Sequence, residues 1–423
     1  MKKLPAFLVF SLLSLVLGFV AGAVVWLILK AIGLGTEVLW TFIPGLLGTH
    51  RLVYNLVVCI IGAVLIGLLA TRFGPLPHLT EEVFAIIKKD GGYPYNRLGL
   101  CALAALLPLV FGGTLGPEAG LVGVIAGLCC WVGDNLKYRG DQLQTLAETS
   151  LSVVLSIVFC TPLAGIIANL EPDNKSEHYR EKLLAKGPRI FIYVMGVAGG
   201  MLAMWLLGMV LESLFPGISS GGLPRFTKDF AMDAQLLIWL VPLAVIGAAA
   251  GALYMASDVA ASKLAKLFKG SKIVPALIAG ICLAVCGYYL PEVMFSGEHQ
   301  LGEMIADWQT YDGWYLILSG ALKLVLCCVC VNLCWRGGAI FPIIAGTAFI
   351  GFGVASLAGI NGAFAAAVCV AAGYAYINRK PITVAAILIL CFPPAFIPLT
   401  LVVAFLTSKI PNPFLAMMEE GEV

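Results

Sequence analysis

The chain has 423 residues, 60% of them hydrophobic and 12% charged, with a formal net charge of +2. An ordinary soluble domain carries about a quarter charged residues, so the composition excludes a soluble globular protein, and the near-neutral balance gives no nucleic-acid-binding surface. What remains is a polytopic membrane protein built on spanning helices of about 20 apolar residues each.

In chain order, the first apolar run, Leu4 to Leu29, follows Lys2 and Lys3. It outruns the apolar core of a signal peptide and has no small-residue cleavage site after it, so it reads as a retained first helix. Further runs cover Leu52 to Ala70, Leu98 to Phe111, Ala119 to Gly133, Ile190 to Val210, Leu236 to Met255 and Ile273 to Leu290. Roughly ten to twelve such regions are present, several too short or too broken for a simple span. Polar connections are expected at Arg72 to Tyr95, Lys137 to Glu148, Asp173 to Arg189, Arg225 to Asp233 and Lys263 to Lys272. The Lys2/Lys3 terminus and the loop with Lys263, Lys266, Lys269 and Lys272 are the cytoplasmic candidates. The thirteen cysteines, among them Cys129, Cys130 and the group Cys327, Cys328, Cys330 and Cys334, fall in apolar segments and read as small reduced hydrophobes.

Two interruptions stand out. "GGTLGPEAG", residues 112 to 120, separates a 14-residue apolar run from a 15-residue one and places the carboxylate of Glu118 between them. "GGAIFPIIAG", residues 337 to 346, repeats the pattern of two glycines followed by a proline and an apolar helix. Beyond them, "TPLAGI" begins 44 residues after Pro117 and "KPITVA" 38 residues after Pro342. Before them stand "RFGPLPHL" at 72 to 79 and "MFSGEHQLGEM" at 294 to 304. Paired interruptions at corresponding positions of two halves mark transporter folds built from repeats, with the binding site where the broken helices meet.

A helix that starts inside the membrane leaves its first N–H groups without helical partners, and its dipole adds roughly half a positive charge there. Such an end attracts anions. With Gly116 as cap and Pro117 at the first helical position, Glu118 falls in the first turn, where a carboxylate is favoured. The second break offers the amides of Ala339 and Ile340 to the same ligand. The Glu118 carboxylate then occupies the anion's own site, so a permeating ion must displace it and protonation favours that displacement. This makes Glu118 a gate; the bland alternative is a helix cap or a partner for a cation.

With these residues in view, the chain resembles the CLC family of chloride channels and proton-coupled chloride transporters, as a divergent prokaryotic member. The resemblance runs from about Arg51 to Lys409. "LGPEAG" is similar to the family's gating G-[KR]-E-G-P segment, "GGAIFP" to its G-G-x-F-x-P anion-binding segment, "TPLAGIIANLE" to the helix that carries the inner proton glutamate, and "NRKPITVAAILIL" to the helix before the pore tyrosine. It implies an all-α polytopic fold, a CLC-type inverted repeat of tilted and broken helices within one transmembrane domain, residues 1–423. The first repeat would cover about 50–215 and the second about 235–410, with no soluble regulatory domain. It further implies a multi-pass protein of a bacterial inner (plasma) membrane, a homodimer with one pore per subunit, no cofactor and no enzymatic activity. The anion-binding residues it implies are Gly116, Pro117, Ala119 and Gly120 at the first break and Gly337, Gly338, Ala339, Ile340, Phe341 and Pro342 at the second.

The chain departs from the family at three points. The family's G-S-G-I-P turn supplies a serine hydroxyl, where "FGPLP" offers Gly74 or Pro75. The pore tyrosine falls near Phe396, with Phe392 second, and a phenyl ring cannot donate a hydrogen bond. The inner proton glutamate aligns with Pro172, with Glu171 one position earlier as a substitute or as a helix-end partner of Lys175. Pro117 also removes one N–H from the first turn. Among the cations, Arg336 beside the second break would steer anions to the pore mouth, while Arg379 and Lys380 read as helix-edge anchors. His50, His78, His178 and His299 are scattered and lack the spacing of metal ligands.

The expected function is passage of a small inorganic anion, chloride first, by a channel or anion/proton antiporter, with protons and membrane lipid as the other partners. Loss of the inner glutamate favours uncoupled or differently coupled conduction. A fluoride exporter of the same fold is the alternative within the family. A carrier for an organic solute would spread polar residues along several helices, and a membrane enzyme would need a second titratable group near Glu118; the sequence offers neither.

Overall fold

The computed structural model describes residues 3–48, 51–90, 92–138, 141–171, 179–211, 224–226, 234–268, 270–415 and 417; His50, Pro172, Lys175, His178 and Lys269 lie outside them. The helices of the first part of the chain are α1 (Lys3–Glu37), α2 (Ile43–Leu47), α3 (Arg51–Phe73), α4 (Thr80–Asp90), α5 (Leu98–Val110), α6 (Glu118–Asn135), α7 (Asp141–Val158), α8 (Pro162–Leu170) and α9 (Tyr179–Leu211). Those of the second are α10 (Ala234–Lys266), α11 (Ile273–Tyr289), α12 (Glu298–Asp307), α13 (Gly313–Asn332), α14 (Ile340–Ala358), α15 (Gly362–Asn378), α16 (Pro381–Leu388) and α17 (Ile397–Thr407). No named strand occurs among the described residues, and an isolated β-bridge joins Gly116 to Gly338. The fold is all-α, as composition requires of a chain that satisfies its backbone inside lipid.

Six segments among the described residues are long and apolar enough to cross a membrane: Phe7–Leu47, Arg51–Phe73, Arg189–Val210, Leu236–Lys266, Gly313–Asn332 and Ile340–Ala358. Four shorter apolar helices, Leu98–Val110, Ile273–Tyr289, Gly362–Asn378 and Ile397–Thr407, accompany them. The first span runs well past Leu29, because Lys30 lies over the Trp26 ring at 5.7 Å and a π-helical turn, Val38–Phe42, carries the helix on. Four expected loops are partly helical: α4 lies within 72–95, α7 begins at Asp141, α9 begins at Tyr179 inside the expected 173–189 connection, and Lys263 and Lys266 end α10. In α4 the reason is a helical stripe, since Val83 and Ile87, four residues apart, are buried while Lys89 and Asp90 are exposed.

The chain forms two compact units, each assembled from separate stretches. Unit 1 comprises 1–37, 76–106 and 117–222. Its main packing sets α1 against α9, and α7 against α6, α8 and α9. The α1–α9 contact is a small-residue crossing: a Cβ built on Gly18 would lie 1.9 Å from the Gly196 carbonyl oxygen, and one on Gly22 would lie 2.5 Å from that of Gly200. Inside lipid, helices associate by such close backbone approach because apolar burial alone gives no preference. Gly18→Ile is therefore expected to destabilise the folded protein by about 1–3 kcal/mol, read as a lowered unfolding temperature in detergent. Gly208→Ile, at a position with open space around it, is expected to leave that temperature unchanged.

Unit 2 comprises 38–75, 107–116 and 223–423. Its centre is α14 and α15, both buried over most of their length. The α13–α14 crossing again uses small residues, with Gly320 against the Gly346 carbonyl. Ile238, Val241 and Val245 on the outside of α10 are exposed, as a lipid-facing surface requires. All thirteen cysteines are free thiols, and Cys327, Cys328 and Cys330 are wholly buried.

Candidate anion site and gate

The first break begins where α5 ends. Gly112 adopts φ +90°, a left-handed turn, with a built Cβ only 2.6 Å from Met294 and 2.8 Å from Trp40. The Gly113 amide donates back to the Pro108 carbonyl at 2.8 Å, which closes α5. Leu115 beyond it is fully buried, and the chain is extended at Gly116. The second break is built alike: Trp335, whose amide donates to the Cys330 carbonyl at 2.9 Å, ends α13, and its indole N–H donates to the Ala276 carbonyl at 2.9 Å.

Within unit 2 these two breaks pair. The Gly116 amide donates to the Gly338 carbonyl at 2.7 Å and the Gly338 amide to the Gly116 carbonyl at 2.8 Å. Two residues after each bridged glycine a helix begins, α6 at Glu118 and α14 at Ile340. The bridge explains one correction to the sequence reading. Because Gly116 is held extended against Gly338, it is not the cap; Pro117 takes the N-cap position, with φ −75° and ψ −15°, and Glu118 is the first helical residue. At the other break Ala339 is the N-cap and Phe341 and Pro342 lie in the buried first turn.

In unit 1 the start of α6 is buried: Glu118 is 1% exposed, and Ala119 and Gly120 are buried too. A Cβ on Gly120 would stand 2.2 Å from that of Ala105 and 3.7 Å from the Pro77 ring. Within unit 1 the part of the 72–79 turn that reaches α6 is Pro77, which follows a cis Leu76–Pro77 bond. Gly74, at φ +88°, has open space around it and Pro75 is exposed. Close by, His78 Nδ1 and the Tyr93 hydroxyl are 2.6 Å apart, and a Cβ on Gly123 of α6 would be 3.2 Å from that hydroxyl. Burial, with Cys101 and Glu82 nearby, pushes the Tyr93 phenol well above its ordinary range, so it stays a proton donor.

The remaining candidates lie on other elements. Phe396 is buried in unit 2 with its ring edge-on to Phe364 at 5.7 Å. Phe392 stacks at 4.8 Å on Phe226, which stacks at 6.0 Å on Phe352 of α14. Glu171 caps the C-terminus of α8 and is buried; its sequence neighbours Pro172 and Lys175 lie outside the described residues. Arg379 is an anchor, donating to the carbonyls of Ser408 and Ile410.

Two buried ionic groups escaped the sequence reading. Glu148, expected in a connection, sits inside α7. Its carboxylate accepts from Tyr193, from Arg189 at 3.4 Å and from Gln144 at 3.1 Å, while Asn169 of α8 donates to its carbonyl at 2.6 Å. Lys323 of α13 is wholly buried in unit 2. Its one available signal was a lone charge inside the apolar run "LSGALKLVLCC".

Comparison with known proteins agrees with this architecture. The family model described as "Voltage gated chloride channel" matches residues 62–411. The chain is similar to the "Putative ion-transport protein YfeO" of Shigella flexneri, 24% identical over 351 residues, covering 80% of this chain and 77% of that protein. It is 23% identical over 348 residues to the protein of the same name from Escherichia coli O6:H1, with the same coverage. Among solved structures it matches a CLC-type fluoride/proton antiporter at a TM-score of 0.75 and 17% identity, over 98% of this chain and 97% of that one. A slow cyanobacterial chloride/proton antiporter matches at 0.75 and 14%, over 98% of each chain.

Proposed function

Since the chain belongs to the voltage gated chloride channel family, we propose that it passes a small inorganic anion, chloride foremost, across a bacterial inner membrane, as a channel or anion/proton antiporter gated by Glu118. The observation that carries this reading is the reciprocal hydrogen bonding of Gly116 and Gly338, with a helix starting two residues after each. Each of the two bridged glycines is followed within two residues by a helix start, and a helix start carries the positive end of its dipole. The proposed ligands are backbone groups of Gly116, Pro117, Ala119 and Gly120 and of Gly337 to Pro342. No serine or tyrosine hydroxyl stands at the aligned positions, so backbone amides and the buried phenyl edge of Phe396 take their place. Glu118, buried at the first turn of α6, is the competing anion.

The rest of the proposal follows from the family resemblance and the paired breaks: two repeats of about 50–215 and 235–410, and a homodimer in lipid with one pore per subunit and no enzymatic activity. Glu171, buried at the end of α8, is the proposed inner proton group. A fluoride exporter is the second reading, favoured by the missing serine and by the likeness to a fluoride/proton antiporter.

The test is efflux from proteoliposomes loaded in turn with chloride, fluoride and a small organic acid, with valinomycin to release the voltage. Chloride efflux ahead of both others supports the first reading and fluoride ahead of chloride the second. Organic-acid efflux without halide efflux overturns both. Proton uptake driven by a chloride gradient identifies an antiporter.

A further inference from the structure

A lysine at the middle of a spanning helix is costly unless something satisfies it. Lys323 sits near the middle of α13 and is 0% exposed. Its ammonium meets four consecutive backbone carbonyls of one turn: Glu292 at 3.0 Å, Val293 at 3.4 Å, Met294 at 3.0 Å and Phe295 at 3.1 Å. The turn is wrapped around it. Phe295 is left-handed at φ 59°, as is Gly297 at φ 99°, and a Cβ on Gly297 would lie 2.8 Å from the lysine Cε and 2.5 Å from Ala345 of α14. Four convergent carbonyls are what a protein offers a bare monovalent cation; here the cation is covalently attached.

The same turn grips the first break. The buried Thr114 hydroxyl donates to the Val293 carbonyl at 2.6 Å, and the Phe295 amide donates to the Gly112 carbonyl at 3.3 Å. Two residues after Thr114 comes Gly116, bridged to Gly338. One chain of contacts within unit 2 thus runs from the lysine through residues 292–295 and Thr114 to the paired breaks. Val293 sits at its centre, its carbonyl shared between ammonium and hydroxyl.

We propose that Lys323 is a positioning residue for anion passage: its caged ammonium holds the 292–297 turn in the form that fixes residues 112–116, and cancels four carbonyl dipoles that would otherwise repel the anion. The inference rests on the anion-passage reading. Without the ammonium, the left-handed turn loses what draws its carbonyls together and the Thr114 acceptor moves. The first break then no longer presents its amides in the right place. Charge and geometry both fall on affinity for the anion rather than on the maximal rate alone.

The experiment measures chloride flux against chloride concentration in proteoliposomes for wild type, Lys323→Met, Thr114→Val and Thr114→Ser. Lys323→Met is expected to raise the half-saturating concentration about tenfold or more and Thr114→Val about threefold or more, as loss of charged and neutral hydrogen bonds would. Thr114→Ser, which keeps the hydroxyl, is expected to stay near wild type. If Lys323→Met does not yield a monodisperse protein, Thr114→Val, which keeps the buried charge and the side-chain shape, decides alone. Half-saturation unchanged in the folded variants, even with a lower maximal rate, overturns the inference while leaving anion passage intact. Wild-type liposomes that pass no anion would overturn the functional reading instead, and the inference with it.

Discussion

Glu118→Gln should pass anions at neutral pH about as fast as the wild type does in acid. The amide keeps the size of the side chain but cannot compete as a charge for the site at the start of α6, where Glu118 is almost wholly buried. On the proposed gating by Glu118, passage opens as the carboxyl takes up a proton, and the protonated fraction of a carboxyl falls about tenfold for each pH unit above its pKa. Wild-type flux should therefore fall as pH rises, and the variant's should change by less than about twofold across the same range. If the wild type also moves protons against a chloride gradient, that movement should vanish in Glu118→Gln while chloride flux remains. The measurement is chloride efflux from proteoliposomes at a series of matched internal and external pH values. A variant with the wild-type rate and the wild-type pH profile would show that Glu118 is only a helix-start residue.

Gly337→Val should abolish most anion flux without unfolding the protein. A Cβ at residue 337 would lie 2.8 Å from the Cβ of Leu115, which is itself fully buried and next to the bridged Gly116. Neither side can yield without moving the Gly116–Gly338 hydrogen bonds, both 2.8 Å or shorter. Overpacking of this kind costs about 1–3 kcal/mol, which as a barrier corresponds to roughly a ten- to hundredfold loss of rate. The disturbed contact is a few residues wide, so yield and detergent-extracted size should stay near wild type. Gly337→Ala should give a smaller loss in the same direction. Wild-type flux in Gly337→Val would mean that the spacing of the two breaks does not govern passage.

The general character of the molecule was legible because it follows from composition and period. Apolar runs without charges must be helices in lipid, and the two Gly-Gly…Pro interruptions mark where those helices stop. Details that depend on distant partners were not legible. That Pro117 rather than Gly116 caps α6 is decided by Gly338, more than two hundred positions later, whose carbonyl holds Gly116 extended. That Pro77 meets α6 depends on how the chain bends there, which its letters do not show. Glu148 looked like part of a charged connection because its partners, Arg189 and Tyr193, come from another helix. Lys323 was missed for a deeper reason: its partners are carbonyls, and every residue type has one.

The Gly116–Gly338 pairing is also made by main-chain atoms alone. A recognition surface written in peptide groups is nearly independent of the alphabet around it, since side chains can be exchanged as long as none intrudes on the narrow gap where the strands touch. Divergent chains can thus keep one fold at 14–17% identity. On the proposed reading, ion preference would then be retuned by shifting the paired breaks from behind, rather than by replacing the main-chain groups offered to the ion.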